Sequence, residues 1–147
     1  MNVLVDTPVW SLALRRRSGD LSPEQSQIRA LLSDLIREGR VVIIGPIRQE
    51  LLSAIREHSQ FKRLREDLRS FKDLPIETLD YENAAEMNNV CRSRGVAASS
   101  VDMLICSISA RSNCAIFTTD HDYFRYSKLL GLRLFGMESE SSVKSIS

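Results

Sequence analysis

Four acidic side chains lie at separate junctions of the chain, where an apolar run ends or a helix-forming segment begins. Asp6 and Asp120 each follow an apolar run that is typical of a buried strand. Glu50 and Asp102 lie in segments whose apolar residues have helical spacing. Carboxylate oxygens without His or Cys suit Mg²⁺ or Mn²⁺, and such an ion can activate water and stabilise an in-line phosphoryl displacement. The four acids therefore indicate a divalent metal site and phosphodiester hydrolysis.

Three of the four acids, each taken alone, also have a purely structural explanation. Asp6 and Asp120 can cap the helix or turn that follows them. Asp102 lies three residues after Ser99, as the acid of a capping box does. Glu50 differs, because it lies past the first turn of its helix and its side chain is expected to point toward the packed side. Crowded carboxylates repel one another unless a cation offsets their charge, so the joint pattern favours a metal site.

Two acids near the end of the chain, Asp120 and Asp122, compete for the role of metal ligand. Asp120 directly follows a buried run and should project from the strand end beside Asp6. Asp122 is placed to cap a helix that starts near Tyr123, and it can act on the metal through a bound water. His121, between the two acids, is interpreted as a surface histidine because carboxylates already supply the ligands that Mg²⁺ prefers.

Short apolar runs that alternate with amphipathic helices predict how these acids are positioned. Strands are expected at 1–5, 41–44, 76–79, 115–118 and 132–135, with helices after 7, from 23 to 38, from 45 to about 58, at 60–72, at about 81–94, after 99 and at 123–130. This alternation predicts a three-layer α/β/α sandwich with a central, mainly parallel five-stranded sheet. The first and fourth strands should be neighbours, with Asp6 and Asp120 facing each other at their C-terminal ends.

The overall composition is that of one ordinary globular domain, assigned to residues 1–136, with a serine-rich tail over 137–147 that is expected to be disordered. The net charge of +1 argues neither for nor against nucleic acid. Basic residues nevertheless form four local groups: Arg15 to Arg17; Lys62, Arg63 and Arg65; Arg92 and Arg94; and Arg125 and Lys128. They are either solvated helix faces or phosphate contacts that flank the acids.

Several features predict a cytoplasmic location. The three cysteines form no CxxC pair and lie in apolar segments, which is typical of a reducing compartment. No secretion signal is recognised, and no apolar run approaches the roughly 20 residues that span a bilayer. We therefore expect no membrane association.

The acidic motifs, in this order, resemble the PIN domain in the form found in VapC toxins of toxin-antitoxin pairs. The resemblance covers about residues 1–136. It rests on the segment from Val5 to Trp10 around Asp6, the helix that carries Glu50, the helix opened by Asp102, and the segment from Thr118 to Phe124. One departure is Pro8, where many relatives carry Ser or Asn.

This resemblance implies a Mg²⁺-dependent endoribonuclease, with Mn²⁺ as a substitute, that cleaves tRNA or rRNA and inhibits translation. The corresponding catalytic residues are Asp6, Glu50, Asp102 and Asp120, the metal ligands are Asp6, Asp102, Asp120 and Asp122, and the auxiliary residues are Thr7 and Thr119. It also implies a homodimer neutralised by a VapB-like antitoxin, which the amphipathic helices over about 47–71 are expected to help bind.

Rival interpretations come from other proteins with acidic sites. A haloacid-dehalogenase-type phosphatase needs a second Asp two residues after the first, and position 8 is Pro. A receiver domain needs adjacent acids in its first loop and a lysine after its last strand, and neither pattern is present. A degenerate PIN domain, acting only as an RNA- or protein-binding module, stays as the alternative. The presence of all four acids favours catalysis.

Overall fold

The computed structural model describes residues 1–15 and 18–136 of the chain. Arg16 and Arg17 of the first basic group, and the tail predicted for 137–147, lie outside the described residues. The elements in order are β1 (Val3–Val5), α1 (Thr7–Arg15), a 3₁₀ turn (Ser18–Asp20), α2 (Pro23–Arg37), β2 (Val41–Val42), α3 (Gly45–Ser53), α4 (His58–Leu68), α5 (Thr78–Ser93), α6 (Ser100–Ser112), β3 (Ala115–Phe117) and α7 (Asp122–Leu130). The predicted alternation of strands and helices is confirmed.

The sheet is parallel and has the strand order β2-β1-β3. Val3 pairs with both Val41 and Ala115, and Val5 pairs with Phe117. All residues of β1 and β3 are buried, which explains why each reads as a continuous apolar run. β1 and β3 are the first and fourth predicted strands, so the prediction that these two are neighbours is confirmed.

The predicted strand at 76–79 is wrong. Strand-like pairing occurs earlier, where Ile43 and Asp73 form a single parallel bridge and the Leu74 N–H donates to the Ile43 carbonyl. Pro75 then removes a backbone donor. The Glu77 N–H donates to the Asp80 carboxylate at 2.8 Å, and this capping interaction starts α5 where the strand was expected.

The predicted fifth strand at 132–135 is also wrong, because it is reduced to a single bridge between Leu134 and Ile116. The Ile116 N–H donates to the Arg133 carbonyl, and the Phe135 N–H donates to the Ile116 carbonyl. Gly136 follows with a φ of +79°, a left-handed conformation that ends the extended run. In the described part of the chain the sheet therefore has three strands, not five.

The helices form two packed groups. α1 packs against α2 and α3, and α3 packs against α4, whereas α5 packs against α6 and α7. Because parallel crossovers are right-handed, α1 and α2 of the first connection and α5 and α6 of the second cover opposite faces of the sheet. This arrangement agrees with the predicted layers. Among the described residues, no helix has both the length and the apolar character needed to cross a membrane.

In the first helix group, α3 is shorter than predicted and Trp10 is packed into the core. The helix predicted from 45 to about 58 ends at Ser53, and α4 begins at His58 after Glu57, whose carboxylate caps it. Trp10 is fully buried, donates its indole N–H to the Val5 carbonyl and packs edge-on against Phe71. Trp10 is therefore a core residue.

Candidate active site

Asp6 lies where β1 ends and α1 begins, and its carboxylate is held on both sides. Its Oδ1 accepts the Thr7 N–H at 2.9 Å, and its Oδ2 accepts the Thr118 hydroxyl at 2.8 Å. Its backbone carbonyl accepts the Val9 N–H in the first turn of α1, where Pro8 has no donor to satisfy. The residue is only 6% exposed. These contacts fix the carboxylate at the end of the sheet.

The pKa of the Asp6 carboxyl is raised from its ordinary value of 3.8 to about 6. Burial is the main cause, and the charges of Asp102 and Glu50 raise it further, whereas the hydrogen bonds from Thr118 and Thr7 lower it. Asp6 therefore shares an electrostatic environment with acids from α3 and α6. A proton or a cation at this position would relieve the repulsion.

Thr118 is a site residue that the sequence analysis did not select. Its hydroxyl donates to Asp6 and accepts the Asp120 N–H at 3.1 Å, and the side chain is buried. The signal was present in the strand register, because extending the Val5–Phe117 pair by one residue places Asp6 opposite Thr118. The predicted auxiliary residue Thr119 is the half-buried neighbour.

Asp102 lies in the first turn of α6, where Ser99 accepts its N–H at 3.0 Å as the predicted cap. Its Oδ1 accepts the Tyr123 hydroxyl at 3.1 Å, and its Oδ2 accepts the Tyr126 hydroxyl at 3.4 Å. Burial raises the pKa of Asp102, and the charge of Asp120 raises it as well, whereas the Tyr123 hydrogen bond lowers it.

The two tyrosines on α7 were also missed by the sequence analysis. Tyr123 and Tyr126 are three residues apart, so they lie on one face of the helix, and both are buried. Buried tyrosine hydroxyls normally need a hydrogen-bond partner. This requirement was the available signal, but the sequence alone did not identify Asp102 as the partner.

Asp120 and Asp122 occupy different environments. Asp120 is half-buried, and its Oδ1 accepts the Asp122 N–H at 2.9 Å. Asp122 is exposed in the first turn of α7, 3.9 Å from Arg125. The prediction that Asp122 caps this helix is wrong, because the N-cap residue is His121 and the carboxylate near the cap is that of Asp120. His121 is exposed, in agreement with its interpretation as a surface residue.

Glu50 lies on α3 between the buried residues Ile47 and Leu51. Its side chain is exposed, which corrects the expectation that it points toward the packed side. Its charge nevertheless contributes to the raised pKa of Asp6. Glu50 is thus a solvent-accessible carboxylate at the rim of a set that we call the acid site: Asp6, Glu50, Asp102 and Asp120.

An unpaired hydroxyl lies beside the acid site. Thr7 Oγ1 is buried, and no hydrogen-bond partner for it is found among residues 1–15 and 18–136. Buried polar atoms without a partner are uncommon and call for an explanation, such as a bound water or ion. Thr7 directly follows Asp6, and its backbone N–H, not its hydroxyl, contacts the Asp6 carboxylate.

The donor set tests whether the acid site fits a divalent metal ion. The donors are all oxygens, which suits Mg²⁺. Within the described residues, no three acidic, histidine or cysteine side chains are grouped closely enough to hold an ion by themselves. Mg²⁺ keeps several waters and usually takes only one or two carboxylates. The open arrangement therefore fits a partly hydrated Mg²⁺ and does not fit a closed structural metal cage.

Comparison with solved structures shows the same fold in other proteins. The structure of VapBC2 from Rickettsia felis, bound to a DNA fragment from its promoter, aligns with a TM-score of 0.71 and 16% identity over 91% of this chain and 97% of that chain. FitAcB from Neisseria gonorrhoeae aligns with a TM-score of 0.71 and 21% identity over 91% of this chain and 96% of that chain. FitAB bound to the IR36 DNA fragment aligns with a TM-score of 0.72 and 17% identity over 90% and 93%.

Comparison of sequences identifies the family. No curated protein matches this chain. The family model described as the PIN domain matches residues 3–129, a range that runs from β1 into α7 and includes every residue of the acid site. The chain therefore belongs to the PIN-domain family.

Proposed function

We propose that this protein is a divalent-metal-dependent endoribonuclease toxin of the VapC type that cleaves tRNA or rRNA and inhibits translation. The proposal rests chiefly on Asp6, a buried carboxylate at a sheet end whose pKa is raised to about 6 with Asp102 and Glu50 nearby. PIN domains are generally nucleases that use divalent metal ions. This chain has an acid at each of the four positions that the resemblance assigns to catalysis.

In this proposal Asp6, Asp102 and Asp120 would hold a partly hydrated Mg²⁺ or Mn²⁺ together with its bound waters, and Asp122 would act through such a water. The ion, when bound, lowers the pKa of a coordinated water and stabilises charge on the phosphate. Glu50 is the most exposed carboxylate of the acid site, and its side chain would accept the proton of the attacking water.

The remaining contacts hold the acids in place. Thr118 orients Asp6, and Tyr123 orients Asp102, through hydrogen bonds of 2.8 and 3.1 Å. Hydrogen-bond partners of metal-binding carboxylates preserve the ligand geometry. Cys106 also lies on α6, and its thiol is fully buried. It therefore contributes to the packing of the core.

Incubation of the purified protein with total RNA tests the nuclease proposal. We expect cleavage with Mg²⁺ or Mn²⁺, none with a chelator, and none for Asp6→Asn, and mapping of the new RNA ends would identify the target. Asp20→Asn, a change of the same kind in the 3₁₀ turn, provides a matched control that should cleave normally. Full cleavage in a chelator would contradict the metal-dependent mechanism.

The toxin part of the proposal has a separate basis. The similar solved structures include VapBC2 and FitAB complexes with DNA fragments. We infer that this protein likewise acts in the cytoplasm as a homodimer that a DNA-binding, VapB-like antitoxin neutralises. Expression alone should arrest growth, and co-expression of a cognate antitoxin, sought as a small DNA-binding protein encoded immediately upstream, should restore it. A harmless protein that stays monomeric at high concentration would contradict this part.

A second candidate function is that of a catalytically weak PIN-like domain that binds RNA or protein without cleavage. Its basis is that no closed metal group is found in the described residues; the same open arrangement also fits a partly hydrated Mg²⁺, so a cleavage assay decides between the two functions. Retention of RNA binding without cleavage in both Mg²⁺ and Mn²⁺ would favour this function over the nuclease.

A further inference from the structure

A pocket of about 440 Å³ lies between α3 and the C-terminal part of α4. It is lined by Arg48, Leu52, Arg65, Arg69, Phe71 and Asp73. The two residues from α3 lie two positions before and after Glu50, which rotates them by about 200° around the helix. The pocket therefore lies on the side of α3 opposite to Glu50, and we call it the arginine pocket.

Arg48 offsets the charge of Asp73, the acid in the arginine pocket. Its Nε and Nη2 donate to Asp73 Oδ1 at 3.0 and 2.9 Å. Its remaining donor groups are fixed by the carbonyls of Leu68 and Phe71, at 2.9 and 2.8 Å. The donor groups of Arg48 are thus occupied by contacts within the protein. The remaining positive charge in the pocket comes from Arg65 on α4 and Arg69 at its C-cap.

Arg65 and Arg69 are four residues apart and lie on one face of α4. The Arg65 guanidinium is placed over the Phe61 ring, 5.9 Å from its centroid. Its Nε is buried, yet no acceptor for it is found among the described residues. Arg69 is exposed, and it forms no ion pair with an acidic side chain in the part of the chain that the structure describes. The pocket therefore presents two guanidinium groups, one of which contains a buried donor that requires an acceptor.

We propose that Arg65 and Arg69 bind a backbone phosphate of the RNA substrate, as a second contact separate from the acid site. Guanidinium groups match phosphate oxygens in geometry and form short charge-assisted hydrogen bonds with them. Leu52 and Phe71 supply an apolar wall beside the charges. The solvent-facing nitrogens of the two guanidinium groups are the donors that a phosphate oxygen can reach, since the Arg65 Nε itself is shielded from solvent.

The position of the pocket explains why such a contact is useful. A helix with its side chains is about 10 Å wide, so a strand that crosses α3 can contact the arginine pocket on one side and Glu50 on the other. The acid site repels the RNA backbone, and cationic contacts supply most non-specific affinity for nucleic acid. The identity of the ligand as RNA rests on the proposed function.

Binding of a fluorescein-labelled oligouridylate, measured by anisotropy in EDTA over a salt series, tests the inference without cleavage. We expect Arg65→Gln and Arg69→Gln each to reduce the slope of log affinity against log salt by about 0.7. The double variant should bind about tenfold more weakly. Arg63→Gln removes the same charge from the same helix but lines a different groove, so it should keep the wild-type slope.

NMR titration of the wild-type protein with the oligouridylate gives a direct second measurement. The NMR resonance of the Arg65 Nε–H should shift when the oligouridylate is added, because a phosphate bound to the same guanidinium group changes its electronic environment. Unchanged slopes in both variants, or a resonance that shifts with orthophosphate but not with RNA, would overturn the inference. Loss of slope in a protein that cleaves no RNA would support the pocket and reject only the nuclease proposal.

Discussion

Thr118 Oγ1 donates a hydrogen bond to Asp6 Oδ2 at 2.8 Å and thereby joins the ends of β1 and β3 at the acid site. The same oxygen accepts the Asp120 N–H, so one buried hydroxyl contacts two of the predicted metal-ligand residues. A single hydroxyl can donate only one proton. Because the Asp120 N–H can only donate, the hydroxyl accepts in the second bond and its single proton is left for Asp6.

Replacement of Thr118 by Val should raise the pKa of Asp6 above its present value of about 6. The reason is that the Thr118 hydrogen bond stabilises the ionised carboxylate, whereas burial and the neighbouring acids act in the opposite direction. Carboxyl-carbon NMR titration of the metal-free protein measures this change. In the nuclease assay, the acidic limb of the pH profile should move to higher pH.

Thr119→Val provides the matched control for this prediction, since it removes a hydroxyl from the adjacent, half-buried residue. We expect the pKa of Asp6 to stay near 6 in this variant. An Asp6 titration that is the same in Thr118→Val and wild type would show that the hydroxyl does not stabilise the charge.

Replacement of Asp6 by Asn should stabilise the metal-free protein at neutral pH. The pKa of Asp6 is 3.8 ordinarily and about 6 in the folded protein. Between these values the unfolded chain loses its proton first, so folding stability falls as pH rises through this window and stays lower above about 6. The difference corresponds to about 3 kcal/mol, which is the upper limit of the gain for Asn, because the amide has only one acceptor oxygen for the Thr7 N–H and the Thr118 hydroxyl.

Urea unfolding in a chelator measures the effect. The gain should be present at neutral pH and absent below the ordinary pKa of 3.8, where both states of the wild-type residue are protonated. Asp122→Asn, at an exposed position, should give no comparable gain. A variant less stable than wild type at neutral pH would contradict the prediction and would indicate that Asp6 is stabilised by a partner.

The position of the acid site was predictable, but its internal contacts were not. Adjacency of the first and fourth strands follows from the reversal of strand order in a doubly wound sheet, and it brings Asp6 and Asp120 to one edge. Thr118 was missed because its role depends on the exact strand register. Tyr123 and Tyr126 were missed because helix periodicity shows that they are buried but not which acid they contact.

The number of strands was overestimated for a related reason. Short segments with only two or three apolar residues predict strands only when no local interaction competes with sheet pairing. At 76–79 the capping interaction between Glu77 and Asp80 starts a helix, and Pro75 removes a donor just before it. At 132–135 the run has the expected parallel direction, but Gly136 ends it after one bridge.

Replacement of Tyr123 by Phe should weaken Mn²⁺ binding if the acid site holds the metal as proposed. The change removes a hydroxyl that lies 3.1 Å from Asp102 Oδ1 while keeping the buried ring. Loss of such a partner typically lowers metal affinity by about tenfold or more. Calorimetric titration measures it, and Tyr126→Phe should have a smaller effect because its contact is 3.4 Å long.

Tyr81→Phe is the control for the tyrosine prediction, since this side chain is exposed on α5. It should bind Mn²⁺ like wild type. Equal affinities for wild type and Tyr123→Phe, with unchanged thermal stability, would show that the hydroxyl does not position Asp102.

Replacement of Asp80 by Asn should destabilise the fold without changing the acid site. Asp80 is completely buried and binds Arg111 through Oδ1 at 2.5 Å and Oδ2 at 3.0 Å. The Arg111 hydrogen bonds lower the pKa of Asp80, so its stabilisation is present above 3.8 and is lost as pH falls through the lowered value. We expect a loss of about 2 kcal/mol in urea unfolding at neutral pH.

The exposed ion pair of Asp73 and Arg48 offers a comparison for Asp80. Asp73 is about half exposed, and Asp73→Asn should change stability much less, because solvent already screens the pair. If both variants unfold at the same urea concentration, burial of Asp80 does not determine the strength of its ion pair.

The last prediction concerns which acid of the segment after β3 is essential for cleavage. Asp120 is half-buried, lies close enough to Asp102 to raise its pKa, and follows the hydroxyl that also holds Asp6. Asp122 is exposed and lies near Arg125. We therefore expect Asp120→Asn to abolish RNA cleavage and Asp122→Asn to reduce it only moderately, as removal of an outer-shell acid does.

Both variants must be compared at equal folded fraction, because the two residues also form a hydrogen bond with each other at the start of α7. Asp120 Oδ1 accepts the Asp122 N–H, and an Asn at 120 can still accept this bond through its amide oxygen. Circular dichroism should therefore show the same helix content in both, so that the difference in cleavage rate reports charge and not folding. A larger defect for Asp122→Asn would mean that the metal lies nearer the start of α7 than the strand end, with Asp122 as the direct ligand.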